Sequence, residues 1–236
     1  MTSLQTVQVH GFAIEVDPAQ DPFSVVRGLL KGWYEASEVR QARALLRPED
    51  RVIELGAGLG VVSCTLASIV GPEALLSFEP NPTIAGRAQR NGARNGFDLR
   101  IEPAVCRPRT LLEGLPGQAS FRLSEAFWAS GLEDGVEVAD RSPTTGHVDV
   151  AVRSLEGAIA EHRASVLVMD IEGGEIEILE QADLSALRAL TFETHEAHVG
   201  RARTNAAIRS ACDRGFEIDF TLTADGVVVL RRIGEA

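Results

Sequence analysis

Aromatic residues make up only 5% of the chain. A core must therefore be assembled from Val, Leu, Ile and Ala, which the 44% hydrophobic content allows. Basic charge is short as well: 23 Lys and Arg stand against 34 Asp and Glu, a net charge of −11. Arg87, Arg90, Arg94, Arg100, Arg107 and Arg109 are interspersed with Gly, Ala and Pro and not with aromatics, so they read as solvated surface. A phosphate backbone calls for a basic face, and nucleic acid is not expected as a partner. Cysteine is rare. The three thiols, Cys64, Cys106 and Cys212, lie far apart with neither a CxxC pair nor metal-ligand spacing, which argues for reduced cysteines in a cytoplasmic protein. No run approaches the roughly 18 apolar residues of a membrane span. Met1 to His10 lacks the basic-then-apolar order of a signal peptide. A membrane is not expected either.

What is present reads as α/β. A length of 236 residues suits a single domain over 1–236, with an N-terminal cap over 1–48 and an insertion or lid over 106–150. Thr6–His10 and Phe12–Val16 alternate around Gly11 as a hairpin. Asp21-Pro22 opens a helical spacing through Val25, Val26, Leu29 and Leu30, and Val39–Leu46 predicts a second helix. Between them lies the break Lys31-Gly32-Trp33-Tyr34-Glu35. From Arg51 onward, apolar runs alternate with helical ones. Strands are expected at Arg51–Leu55, Ala74–Phe78, Asp98–Glu102, Ser165–Met169 and Leu190–Glu193. Helices are expected at Val61–Val70, Pro82–Asn95, Ile176–Leu187 and Asn205–Arg214. That alternation argues for a parallel, doubly wound sheet. Phe216–Leu222 and Val227–Arg232 then flank Thr223-Ala224-Asp225-Gly226 as an antiparallel hairpin. Cys106–His147 fits no βα unit; it carries Pro108, Pro116, Pro143 and the acidic stretch Glu133–Asp140, and Ala119–Leu123 is expected to pair with Val148–Val152.

The sharpest motif is Glu54-Leu55-Gly56-Ala57-Gly58-Leu59-Gly60, between the first strand of the alternation and its helix. Glycine suits a sharp reversal and lets a ligand approach the backbone, and N–H groups at a helix start favour a carboxylate or phosphate. The spacing is GxGxG, whereas dinucleotide-binding turns use GxGxxG. Glu54 would repel a pyrophosphate but can hold the ammonium of S-adenosylmethionine. Glu79, closing the second strand in Phe78-Glu79-Pro80-Asn81-Pro82, can accept both hydroxyls of a ribose; nicotinamide enzymes do the same, so Glu79 points to a nucleoside without choosing between them.

These pieces, with Tyr34-Glu35, Asn91 to Asn95 with Gly96, Met169-Asp170-Ile171-Glu172-Gly173-Gly174-Glu175 and Thr191-Phe192-Glu193-Thr194-His195, resemble the FkbM family of methyltransferases in order and spacing. The resemblance implies a class I methyltransferase fold, a Rossmann-like, mostly parallel seven-stranded sheet ending in an antiparallel hairpin. It also implies S-adenosylmethionine as donor and O-methylation of a small molecule, a natural product or sugar. Tyr34, Glu35, Glu54, Gly56, Ala57, Gly58, Gly60, Glu79, Asn81 and Ala104 are then the candidate cofactor residues, with Tyr34 and Glu35 at the methionine end. The family's lysine before the Ile-Asp-Val-Glu-Gly element is Val168 here, and its aspartate in the glycine turn is Glu54.

Asp170 and His195 follow two buried strands, whose C-terminal ends face the ligand crevice of an open α/β sheet. Histidine titrates near neutrality, so His195 is the candidate base, with Asp170 and Glu172 beside it. Asp170, Glu172 and Glu175 offer oxygen ligands to a divalent cation; Glu172 and Glu175 capping the helix at Ile176 is the preferred account, and no metal is expected. Two rivals remain: a nicotinamide-dependent oxidoreductase, opposed by GxGxG and Glu54, and a non-catalytic nucleoside-binding module. The oligomeric state is not readable from the sequence.

Overall fold

The computed structural model describes residues 4–112, 117–132 and 143–234. Pro116 and the Glu133–Asp140 stretch lie outside them.

The chain begins with β1 (Gln5–Val9) and β2 (Phe12–Val16), an antiparallel pair in the register Val9↔Phe12. His10 and Gly11 both have positive φ, 51° and 98°, the two-residue turn that suits hairpin twist. Helix α1 (Phe23–Lys31) stops at the left-handed Gly32, and α2 (Ala36–Leu45) starts after Glu35. Strand β3 (Val52–Leu55) leads into α3 (Val61–Val70), β4 (Leu75–Phe78), α4 (Pro82–Arg94) and the short β5 (Ile101–Glu102). The expected strand over Asp98–Glu102 is thus cut to its end. Pro103 has no N–H for a ladder, and beyond it β6 (Ala104–Arg107) joins a different sheet.

That second sheet is the insertion. Strands β7 (Gln118–Ser124), β8 (Gly131–Leu132) and β9 (Thr144–Ser154) stand with β6 in the order β6-β9-β7-β8. The expected pairing is there, in the register Ala119↔Val150 and Phe121↔Val148, but β9 also runs parallel to β6. Helix α5 (Leu155–His162), capped by Ser154 Oγ accepting from Gly157 N–H at 3.2 Å, was not anticipated.

Then follow β10 (Val166–Met169), α6 (Glu175–Gln181), β11 (Ala189–Glu193), α7 (Glu196–Val199), α8 (Arg201–Asp213), β12 (Phe216–Ile218) and β13 (Val227–Arg232). Helix α6 ends before the expected Leu187; Asp183 Oδ1 accepts from Ser185 N–H at 2.9 Å, a side-chain turn that competes with helix. The seven-stranded sheet has the order β12-β13-β11-β10-β3-β4-β5, with β13 antiparallel to both its neighbours and the other pairings parallel. This is the expected doubly wound sheet, with the last strand wedged between β11 and β12.

Strands β3, β4 and β10 are buried at every residue, as a sheet covered on both faces requires. Their side chains alternate. Val52, Val166 and Val168 pack with α1 to α4, while Ile53, Leu167 and Met169 pack with α5, α6 and α8. Beneath the sheet, Arg188 pairs with Asp50, both buried, and donates to Leu45 O at 3.0 Å. The N-terminal hairpin is tied to α4 by two asparagines. Asn91 Oδ1 accepts from Glu15 N–H at 2.8 Å and its Nδ2 donates to Leu59 O at 2.9 Å, while Asn95 bridges Ala13 N–H and C=O. From β3 the chain winds one way through β4 and β5, and the other way through β10 and β11. The ligand crevice of such a sheet opens at that reversal, over the C-terminal ends of β3 and β10.

Candidate active site

The glycine turn after β3 sits at this reversal, and each glycine answers to a different neighbour. Gly56 has φ 88°, and a Cβ there would lie 1.9 Å from the Asp170 carbonyl oxygen at the end of β10. Gly60, φ 82°, lies against the backbone of Ala88 in α4, 3.1 Å from a Cβ position. Gly58 alone faces open space with side chains across it: Glu35 Oε1 and Tyr34 Oη stand 3.6 and 3.8 Å from its Cβ position. Two of the glycines expected to admit a ligand are therefore there to admit protein. The N–H groups nearby are partly engaged by the chain itself. Gly58 N–H donates to Glu79 Oε2 at 3.1 Å, and Val62 N–H, at the start of α3, donates to Glu35 Oε2 at 3.2 Å.

Glu79, at the end of β4, is 8% exposed and also accepts from Asn81 N–H at 2.9 Å. Burial pushes its carboxyl up to about 7 against the pull of the Asn81 and Gly58 N–H groups. Asn81 caps α4, accepting from Thr83 and Ile84 N–H. Glu54 lies behind the turn. Its Oε2 accepts from Ser63 Oγ at 2.6 Å and Ser77 Oγ at 2.5 Å, while Oε1 is buried without a partner. Burial, opposed by the two hydroxyls, pushes Glu54 up to about 7 as well. Glu54, Glu35, Glu38, Asp170 and Thr191 surround a cavity of about 10 Å³, and Thr191 Oγ1 is also buried and unpartnered. That is roughly the space of one small polar group.

The loops after β10 and β11 meet as the sequence predicts. Glu172 and His195 have left-handed backbones, φ 53° and 43°. His195 is 9% exposed, with Nε2 3.3 Å from Asp170 Oδ1, 3.4 Å from Glu172 Oε2 and 3.7 Å from Glu193 Oε2. Its Nδ1 is 3.3 Å from Glu175 Oε1. Glu175 is fixed by accepting from Ile171 N–H at 2.7 Å and Gly173 N–H at 2.8 Å, a local clasp as well as a helix-start acid. Burial opposes a charge on His195, but the carboxylates of Asp170, Glu172 and Glu175 outweigh it and hold the imidazole well above the usual histidine range. His198 lies in α7 with its ring stacked 6.2 Å from that of His195.

These parts share one cleft of about 210 Å³. Tyr34, Glu35, Gly56, Gly58, Glu79, Ala104, Asp170 and Glu172, all expected at the site, line it. Ala57, Gly60, Asn81, Glu54 and His195 are not part of that lining. The insertion expected over 106–150 supplies the far wall, and Arg107, expected on a solvated surface, is part of it. Phe121, Phe127 and Leu132, from the inserted sheet, and Arg107 and Arg122, both buried, complete it. Arg107 is paired with Glu177 at 3.1 Å, and Arg122 donates to Ala129 O at 2.6 Å. Alternation of β7 carried a hint of this wall, but nothing local to it tells which sheet it joins.

Among the described residues no helix is long and apolar enough to cross a membrane. Comparison with known proteins finds "Methyltransferase sdnD" of Sordaria araneosa, 25% identical over 193 residues, covering 71% of this chain and 73% of that protein. Of solved structures, a precorrin-6y C5,15-methyltransferase from Geobacter metallireducens GS-15 is 12% identical with a TM-score of 0.48, over 93% of this chain and 98% of that one. Aeropyrum pernix fibrillarin with bound S-adenosyl-L-methionine is 11% identical with a TM-score of 0.44, over 97% and 82%. Residues 54–218, well over half of the chain, match the methyltransferase FkbM domain. The chain belongs to the FkbM methyltransferase family and is a methyltransferase that takes its methyl group from S-adenosylmethionine.

Proposed function

We propose that the chain methylates a hydroxyl of a small molecule, with the donor along the glycine turn and the acceptor against the inserted sheet. The carrying observation is the placement of Asp170 between the two halves of the cleft. Its Oδ1 is buried against His195, while its side chain remains 35% exposed.

The residues fit the donor. The unpartnered buried oxygens of Glu54 and Thr191 border a cavity of the size an ammonium group needs. Glu79 stands where a ribose would lie beside Gly58, and Tyr34 and Glu35 lie across the turn from it. When bound, S-adenosylmethionine supplies a methyl group already activated on a sulfonium. The chain must then align an acceptor oxygen and exclude water. Asp170 accepts the acceptor hydroxyl's hydrogen bond and orients it, with Glu172 and His195 beside it. Phe121, Phe127 and Leu132 offer the acceptor an apolar wall, and a net charge of −11 does not favour a nucleic acid.

The test is turnover of hydroxyl-, amine- and thiol-bearing small molecules with donor, the methylated atom being read by mass spectrometry and NMR. Methylation on oxygen is expected. In Asp170→Asn, turnover should fall roughly 10²–10⁴-fold with donor binding kept within a few-fold. Methylation on nitrogen or sulfur, or full activity of Asp170→Asn, refutes this reading. Donor binding without turnover of any acceptor favours the non-catalytic module.

A further inference from the structure

We propose that Asp170, Glu175 and His195 bind a divalent transition-metal ion at the wall of the cleft. One ligand atom from each lies within 4.8 Å of the others. Asp170 Oδ1 stands 3.3 Å from His195 Nε2, and Glu175 Oε1 stands 3.3 Å from His195 Nδ1, on the other side of the ring. One ion takes only one of these nitrogens, and an oxygen 3.3 Å from it is spaced as a second ligand when each is roughly 2.1 Å from that ion. It is a poor fit to hydrogen bonding. His195 Nδ1 and Asp170 Oδ1 are both buried and lack a hydrogen-bond partner, although a carboxylate and an imidazole stand beside them. The His195 side chain is only 6% exposed, so water does not make up the deficit from bulk.

Charge points the same way. Among the described residues, Asp170, Glu172, Glu175 and Glu193 form ion pairs only with His195 and His198. Four carboxylates against at most two imidazoles leave negative charge in a half-closed place, where like charges repel strongly. A divalent cation relieves it. Glu175 is held by two backbone N–H groups, an outer support of the kind that orients metal ligands. One imidazole with two carboxylates suits manganese or zinc better than calcium, which takes oxygen alone. The acids read from sequence as helix-capping and metal-free are thereby assigned to a coordination shell.

The ion's contribution to chemistry rests on the O-methylation reading, but its binding does not. Next to Asp170, it would polarise the acceptor hydroxyl; the hydroxyl oxygen bonds to the methyl carbon as the carbon–sulfur pair leaves with sulfur, and the proton goes to water.

Mn²⁺ alone is the probe, added to the full chain without donor or acceptor and followed by electron paramagnetic resonance and calorimetry. One equivalent should bind at submillimolar concentration. His195→Gln and Glu175→Gln should each weaken it roughly 10–100-fold or more, the loss that even an outer-shell partner carries. Should these buried variants fail to fold by circular dichroism, the partly exposed Asp170→Asn decides by the same measure. Absence of saturable Mn²⁺ binding, or binding unchanged in a folded variant, overturns the site. Because no acceptor is present, this failure is separate from failure to methylate a hydroxyl.

Discussion

A methyl group added at Gly56 collides with a strand end and not with a ligand. Gly56→Ala should destabilise the fold by about 3 kcal/mol or more, the sum of overpacking and a left-handed backbone. Urea unfolding with and without S-adenosylhomocysteine checks this. Gly58→Ala, left-handed as well at φ 50° but with only side-chain ends near its Cβ position, should lose less stability than Gly56→Ala and more donor affinity. Glu79→Ala removes an acceptor for the ribose, with charged hydrogen bonds worth about 1.5–3 kcal/mol each, and S-adenosylhomocysteine affinity should fall at least tenfold by calorimetry. An unchanged dissociation constant removes Glu79 from the site. At this scale the sequence names residues that gather around one cleft, with incomplete reasons. The spacing of Gly56, Gly58 and Gly60 reveals a tight turn; it does not reveal that Asp170, more than a hundred residues on, presses against the first of them. The clash belongs to β-strand pairing, invisible in a local pattern.

Asn91 and Asn95 show the same gap one level up. They are legible as part of a family motif, yet their work is to clamp the β1–β2 hairpin onto α4. Asn91→Ala leaves the buried Glu15 N–H and Leu59 C=O unpaired and should cost about 2 kcal/mol or more. Because Leu59 belongs to the glycine turn, donor affinity should weaken with it. Equal loss of stability and unchanged affinity would limit the clamp to a structural role. Elements with strong apolar runs were readable: β3, β4, β10, β11, α3 and β13 lie where hydrophobic periodicity puts them, within a residue or two. Strand β6 was not, since four residues following a proline carry no period. Helix α5 was not, since Gly157 breaks its pattern and its start is set by a single serine hydroxyl.

For the molecule as a whole, the acids crowding the cleft predict how stability varies with pH. The folded-state values of Glu54 and Glu79, about 7, exceed the ordinary glutamate value of 4.5. Between these limits the folded chain holds protons that the unfolded chain releases, so this stability is complete below pH 4.5 and is lost as pH rises through 7. The loss is of order 2–3 kcal/mol for each group. Asp50, lowered by Arg188 in spite of its burial, acts oppositely and weakens the fold in strong acid. Thermal unfolding should therefore give a Tm several degrees higher near pH 5.5 than near pH 8. Glu54→Gln with Glu79→Gln should flatten that difference; an unaltered slope would show that these two acids do not set it.

The wedged position of β13 carries a consequence for how the chain is made. Ribosomal synthesis delivers β11 well before β13, and among the described strands β11 and β12 are joined in the sheet only through it. Until Val227–Arg232 emerges, the edge of β11 is an open row of backbone groups, and Thr194 N–H lacks the Gly226 carbonyl that receives it at 2.9 Å. Glu193 and His195 hang from that edge. The nascent chain thus exposes its most acidic corner, and a strand ready to pair with anything extended, for the whole time that α8 and β12 are being translated. The edge of β11 is covered only once β13 seats between it and β12.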